Sequence, residues 1–175
     1  MLGRGLVVGT LALLAGCEYG PSHLDREDAA HAQSRAGVPV YWLGESFAGL
    51  PLTAAESEGP GRALFVYGEC EGESEGIDDF HCTSPQLQVQ QLPFSAVAWR
   101  IASGCRTLRS LRGVPLLYHG GLVLVTRRGI VKVFGRDPAE SRRMATALRP
   151  VEGDARAELP APTAAQRRVV AASCP

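Results

Sequence analysis

The densest apolar signal in the chain lies between residues 114 and 134. Three runs, Val114-Pro-Leu-Leu-Tyr-His119, Leu122-Val-Leu-Val-Thr126 and Ile130-Val-Lys-Val-Phe134, are separated by Gly120-Gly121 and by Arg127-Arg128-Gly129. Glycines between β-branched runs favour tight hairpin turns, because those turns need positive φ. The pattern predicts a three-stranded antiparallel meander. Its second and third strands are apolar at both parities, so both faces of the sheet are expected to be covered. Gln86–Leu92 alternates polar and apolar with period two, the mark of a half-buried strand. Leu87 and Val89 are expected to face inward and the glutamines outward. Val38–Gly44 and Arg62–Gly68 read as two further strands, with Pro39 placing the first at an edge or a strand start. Gly49–Gly61, broken by Pro51 and Pro60, reads as a loop.

Helical periodicity is rarer. Asp137-Pro138-Ala139-Glu140 supplies an N-cap, a proline at the first helical position and a capping-box glutamate. Met144, Ala147, Leu148 and Val151 then recur on one helical face. Ser95–Arg112 reads as a helical crossover, with Arg106, Arg109 and Arg112 as a basic stripe. Val151–Pro162 reads as a linker, and Thr163–Cys174 as a short helix carrying Val169 and Val170. The resulting expectation is one α+β domain over residues 38–151. It would be an antiparallel sheet of five to six strands whose C-terminal meander is packed by one or two helices. Residues 152–175 would follow as a linker and C-terminal segment.

The N-terminus has a different pattern. Arg4 precedes the stretch Leu6–Leu14, which only Gly9 and Thr10 interrupt. That stretch falls well short of the ~20 apolar residues of a spanning helix, and it fits a secretory signal over residues 1–16. Leu14-Ala15-Gly16-Cys17 closes it. This motif resembles the lipobox of bacterial lipoproteins, and the resemblance implies cleavage before Cys17 and acylation of that cysteine. The mature chain would be held on the extracytoplasmic face of the cell membrane, since two or more acyl chains anchor far better than one. Glu18–Gly37 is polar, rich in small residues and without apolar period. With Cys17 it reads as a flexible tether over 17–37, reaching ~25 Å.

Charge and cysteines sharpen the picture. Net charge is zero, yet residues 17–80 hold thirteen acids and three bases, whereas 81–175 hold five acids and fourteen bases. In one compact domain the simplest reading is two halves facing each other. A basic face near lipid headgroups or wall polymer is the sharper one. Nucleic acid is not expected as a partner. Five cysteines are odd in number, but with Cys17 acylated four remain: Cys70, Cys82, Cys105 and Cys174. Four cysteines allow three pairings; Cys70–Cys82 with Cys105–Cys174 is preferred, because Cys174 makes sense as a staple for the C-terminal segment.

Candidate chemistry is sparse. From Glu71 onward, acids at Glu71, Glu73, Glu75 and Asp79 with Gly76 at the sixth position imitate the spacing of a calcium loop. Cys82 stands where a bidentate glutamate is required, and no flanking helices are evident. The default is a solvated acidic loop stapled by Cys70–Cys82. Asp79, His81, Cys82 and Cys70 are transition-metal ligand types, but both thiols would have to stay reduced. Gly44-Glu-Ser46-Phe-Ala48 nearly matches a nucleophile elbow, with alanine in place of the last glycine. Ser103-Gly104-Cys105-Arg106 faintly resembles the cysteine motif of wall-crosslinking transpeptidases, without its histidine. His23 and His31 fall in the tether, and His119 beside the Gly-Gly turn reads as a turn residue. No S-x-x-K motif accompanies the single lysine, Lys132, and no phosphate loop or dinucleotide fingerprint is present. No cofactor is expected.

Val38-Pro-Val-Tyr-Trp-Leu-Gly44, the stretch from Phe65-Val-Tyr-Gly68 to Cys70, and Arg112-Gly-Val-Pro115 together resemble a family of small uncharacterised lipoproteins from high-GC bacteria, over residues 38–150. That resemblance implies one α+β domain, and no activity or catalytic residue is carried over from it. The chain therefore reads as a lipid-anchored envelope protein acting as a non-enzymatic binding or interaction module. Two alternatives come from other classes: a small envelope hydrolase or wall-modifying enzyme using Ser46 or Cys105, and a Ca²⁺-responsive module using the acidic loop.

Overall fold

The structure is a computed structural model, and it describes residues 23–69, 72–74, 80–82, 87–95, 105–153 and 159–174. Among the described residues, three helices, α1 (Arg26–Ala36), α2 (Pro138–Ala147) and α3 (Ala164–Ser173), accompany twelve strands. The class is α+β and the sheets are antiparallel. Eight strands form the main sheet: β2 (Ser46–Phe47), β3 (Leu50–Glu56), β4 (Ala63–Tyr67), β7 (Leu87–Leu92), β11 (Gly129–Phe134), β10 (Leu122–Thr126), β9 (Leu116–Tyr118) and β8 (Arg106–Thr107), in that spatial order. A two-stranded sheet joins β1 (Tyr41–Trp42) to β12 (Arg149–Pro150), and another joins β5 (Gly72–Ser74) to β6 (Phe80–Cys82).

The meander forms as its pattern predicts. Leu122 to Thr126 pair with Val133 to Gly129, and Leu122 to Leu124 with Tyr118 to Leu116. Gly120 takes φ +61 in the first turn, the conformation that favours glycine there. Alternation sorts β10 between two cores. Leu122 and Leu124 join Phe65, Tyr67, Leu87, Val89, Val131 and Val133 beneath α1 and α2. Val123 and Val125 join Leu117, Ile130 and Val170 beneath α3.

The main sheet is wider than the five or six strands the pattern suggests, for two reasons. Residues 50–56 form β3 rather than a loop; Leu52 alone is buried there, so no alternation shows. Its register shifts between Leu52 and Ala54, and the Thr53 hydroxyl at that irregularity donates to Gly68 O at 2.7 Å. Arg106–Thr107 is an edge strand, and Leu111–Val114 is a turn closed by a β-bridge, not a helical crossover. Arg112, at φ +51 in that turn, donates to Leu148 O. The remainder of that crossover, residues 96–104, lies outside the described residues.

Most of the segment read as a tether is also folded. Asp25 caps α1 by accepting from Glu27 N and Asp28 N, Asp28 accepts from Asp25 N, and Gly37 closes the helix at φ +64. Its buried face is Ala29, Ala32, Gln33 and Ala36, small enough to lie close on β3 and β4. A stripe of alanines carries little hydrophobic contrast, so the periodicity is invisible in the sequence. In α2, Met144, Ala145, Leu148 and Val151 are buried, whereas Ala147 is exposed. In α3, capped by Thr163, Val170 is buried and Val169 is 38% exposed.

Candidate functional site

Residues 38–44 are not one long strand. Only Tyr41 and Trp42 pair, with Pro150 and Arg149, and buried side chains satisfy the backbone around them. Gln33 Oε1 accepts from Val40 N at 3.0 Å, Tyr67 Oη accepts from Leu43 N at 2.8 Å, and Gln91 Nε2 donates to Pro39 O at 3.1 Å. Val151 N adds a bond to Val40 O. Gln91 shares the inward parity of Leu87 and Val89 and is buried with them, so the expectation that all these glutamines face outward is corrected. Burial raises the Tyr67 phenol well above its ordinary range, so it serves here as a neutral acceptor.

This framework places Trp42 directly across from Arg149. The Arg149 guanidinium lies over the Trp42 ring, 5.6 Å from its centroid, a cation–π arrangement. Gly44 (φ +101) leaves room for it: a Cβ there would collide with Arg149 Nη2. The indole is 3% exposed and tilts against Phe65 at 6.3 Å. Around the pair opens a cleft of about 210 Å³, lined by Trp42, Arg149, Arg26, Glu45 and Val151 among others. Arg26, Glu45 and Arg149 are exposed, and among the described residues none has an ion-pair partner within 4.0 Å. The cleft thus offers two guanidinium groups and one carboxylate beside an aromatic face. Such a set binds small charged groups by charge-assisted hydrogen bonds.

The residues singled out by sequence are scattered. Cys105 and Cys174 form a disulfide, with Cα atoms 5.1 Å apart and a sequence separation of 69. Thr107 Oγ1 donates to Cys174 O beside it. A sulfur held this way is no thiolate, so the structure offers no support for Cys105 as a nucleophile. Cys17, Cys70, Glu71, Glu75 and Asp79 lie outside the described residues, as does the Cys70–Cys82 pairing. Of Glu73 and Cys82 the backbones are placed, opposite His81 and Gly72 in the β5–β6 pair. Ser46 is exposed on the edge strand β2. His119 sits in the β9–β10 turn, and Lys132 lies over the Phe134 ring at 5.0 Å. Among the described residues no three His, Cys, Asp or Glu side chains converge to hold a metal ion.

Sequence reasoning missed the cleft, because Trp42 and Arg149 are far apart in the chain and only the β1–β12 pairing brings them together. No family model, curated protein or solved structure matches the chain.

Proposed function

We propose that this protein is a lipid-anchored envelope protein, acylated at Cys17, whose folded domain binds a small charged ligand or partner group without transforming it. The carrying observation is the Leu14-Ala15-Gly16-Cys17 motif set only seven residues ahead of Leu24, whose backbone docks onto the sheet through Leu24 N to Leu52 O at 3.0 Å. The Cys105–Cys174 disulfide agrees with an oxidising, extracytoplasmic setting. No helix of the described residues is long and apolar enough to cross a membrane.

The test is the intact mass of the protein from the membrane fraction of a bacterial host, before and after reduction and alkylation. A mass beginning at Cys17 with acyl chains added, and Cys105 and Cys174 alkylated only after reduction, is the expected result. An unacylated chain would overturn the anchor. Free thiols at Cys105 and Cys174 in that fraction would overturn the extracytoplasmic setting. A titration with millimolar Ca²⁺ followed by thermal melting separates the calcium alternative, because an ion that binds only the native state must raise the melting temperature.

A further inference from the structure

The cleft lies close to the anchor. Arg26 is the first residue of α1, and Leu24 is bonded to β3. The seven chain steps from Cys17 to Leu24 span at most ~25 Å fully extended. On the anchoring reading, the Arg26 end of the domain therefore never leaves the neighbourhood of the lipid headgroups. We infer that the cleft between Arg26, Arg149 and Glu45 takes a zwitterionic amino-phosphodiester headgroup, that of a phosphatidylethanolamine lipid, from the membrane to which the chain is tethered.

Four observations carry this. The cleft holds both signs of charge, matching a ligand with a phosphate at one end and an ammonium at the other. Arg149 is held in place by Trp42 beneath it and Gly44 beside it, so little side-chain freedom is lost when it takes a phosphate oxygen. Glu45 is the acceptor for the ammonium, and the carboxylates of Asp25, Glu27 and Asp28 in the cap and first turn of α1 disfavour a purely anionic headgroup nearby. Finally, a volume of about 210 Å³ is below the ~300–1,000 Å³ of drug-sized pockets. It has room for a headgroup and is too small to enclose acyl chains.

The experiment uses the chain from residue 17 onward, which contains every residue the structure describes, with Cys17→Ser so that no acyl chain contributes. Cosedimentation is measured with vesicles of phosphatidylcholine alone, and with phosphatidylethanolamine or phosphatidylglycerol added. The primary ammonium can donate to Glu45 and the quaternary one cannot, so binding should favour phosphatidylethanolamine over phosphatidylcholine by about tenfold. Arg149→Gln and Arg26→Gln should each weaken it by about fivefold. Glu45→Gln should abolish the preference between the two lipids. Arg26 is an exposed helix residue, so its variant keeps the test valid even if Arg149→Gln disturbs the fold. Equal binding to all three vesicles, stronger binding to phosphatidylglycerol, or an equal loss with Arg167→Gln on α3 would each overturn the inference. Free phosphoethanolamine that binds as tightly as the vesicles would move the ligand from the membrane to solution and overturn its lipid source. These results are independent of the acyl mass at Cys17, so the cleft and the anchor can fail separately.

Discussion

The two faces of the main sheet are covered by different means. Beneath α1 and α2 lies a broad apolar core running from Leu52 and Phe65 through Val89 to Leu124 and Val133, joined by Trp42, Met144 and Leu148. Among the described residues the core beneath α3 is small: Leu117, Val123, Val125, Ile130 and Val170, with Leu92 and Phe94 at its margin. On this second face the covering helix is cross-linked, Cys174 at its C-terminal end to Cys105 beside β8. The difference teaches how one sheet uses two remedies. Where apolar area is ample, packing alone suffices. Where α3 offers Val170 as its one buried apolar residue among those described, a covalent link limits how far it can stray in the unfolded chain.

The largest test of this contrast is in the broad core. Phe65→Ala removes a fully buried ring and should cost ~3–5 kcal/mol in denaturant unfolding. A loss under ~1 kcal/mol would mean the first face is not the main store of stability. Next comes the cross-link. Cys105→Ala with Cys174→Ala should cost ~2–4 kcal/mol. Amide exchange should then quicken in α3 well before it quickens in α1 or α2, and equal acceleration everywhere would show that the faces do not act separately.

A smaller effect belongs to the start of α2. Glu140 is 1% exposed, accepts from Arg136 N and Nε at 2.9 and 2.8 Å, and also meets Arg136 Nη2. The Arg136 guanidinium holds its carboxyl down at about 2, against 4.5 ordinarily. A depressed carboxyl gives stability that is whole above pH ~4.5 and is lost as the pH falls toward 2. Glu140→Gln should therefore lower stability at neutral pH by ~1–3 kcal/mol and flatten the acid limb of the stability–pH curve. An unchanged acid limb would assign that titration to other groups. The smallest effect is expected at the exposed pair of Glu58 and Arg62, 3.9 Å apart, where Glu58→Ala should shift stability by less than ~0.5 kcal/mol.

Legibility in the sequence followed contrast. The meander, β4, β7 and α2 are readable because large apolar residues run together between glycines, alternate with polar ones or recur at helical spacing there. The Cys105–Cys174 pair is legible as the preferred one of three pairings, because Cys174 makes sense as a staple for the C-terminal segment. α1 was hidden although its cap residues Asp25, Asp28 and Gly37 stand in plain view, because its buried face is alanine. β3 is hidden because Pro51, Ala54 and Ala55 are poor strand formers, which pairing with β2 and β4 overrides. Glu140 was read as a capping-box residue reaching Asp137; its carboxylate reaches Arg136 instead, one residue earlier. The cleft was hidden for another reason. It depends on Trp42 meeting Arg149 across two strands of two residues each, and no local pattern encodes a meeting between distant segments.

That short pairing of β1 with β12 has a consequence for how the chain matures. A nascent polypeptide emerges N-terminus first, so α1 is among the earliest segments to appear. At eleven residues it is too short to persist alone in water. The β1 segment that follows it is not clasped until Arg149 and Pro150 arrive, long after most of the sheet has been made. β1 thus gains its strand partner late, after α1 and the backbone beside it have bonded to Leu52, Tyr67 and Gln91. A chain halted before residue 149 would carry β1 without its strand partner beside a nearly finished sheet, a form that chaperones and proteases can tell from the complete product.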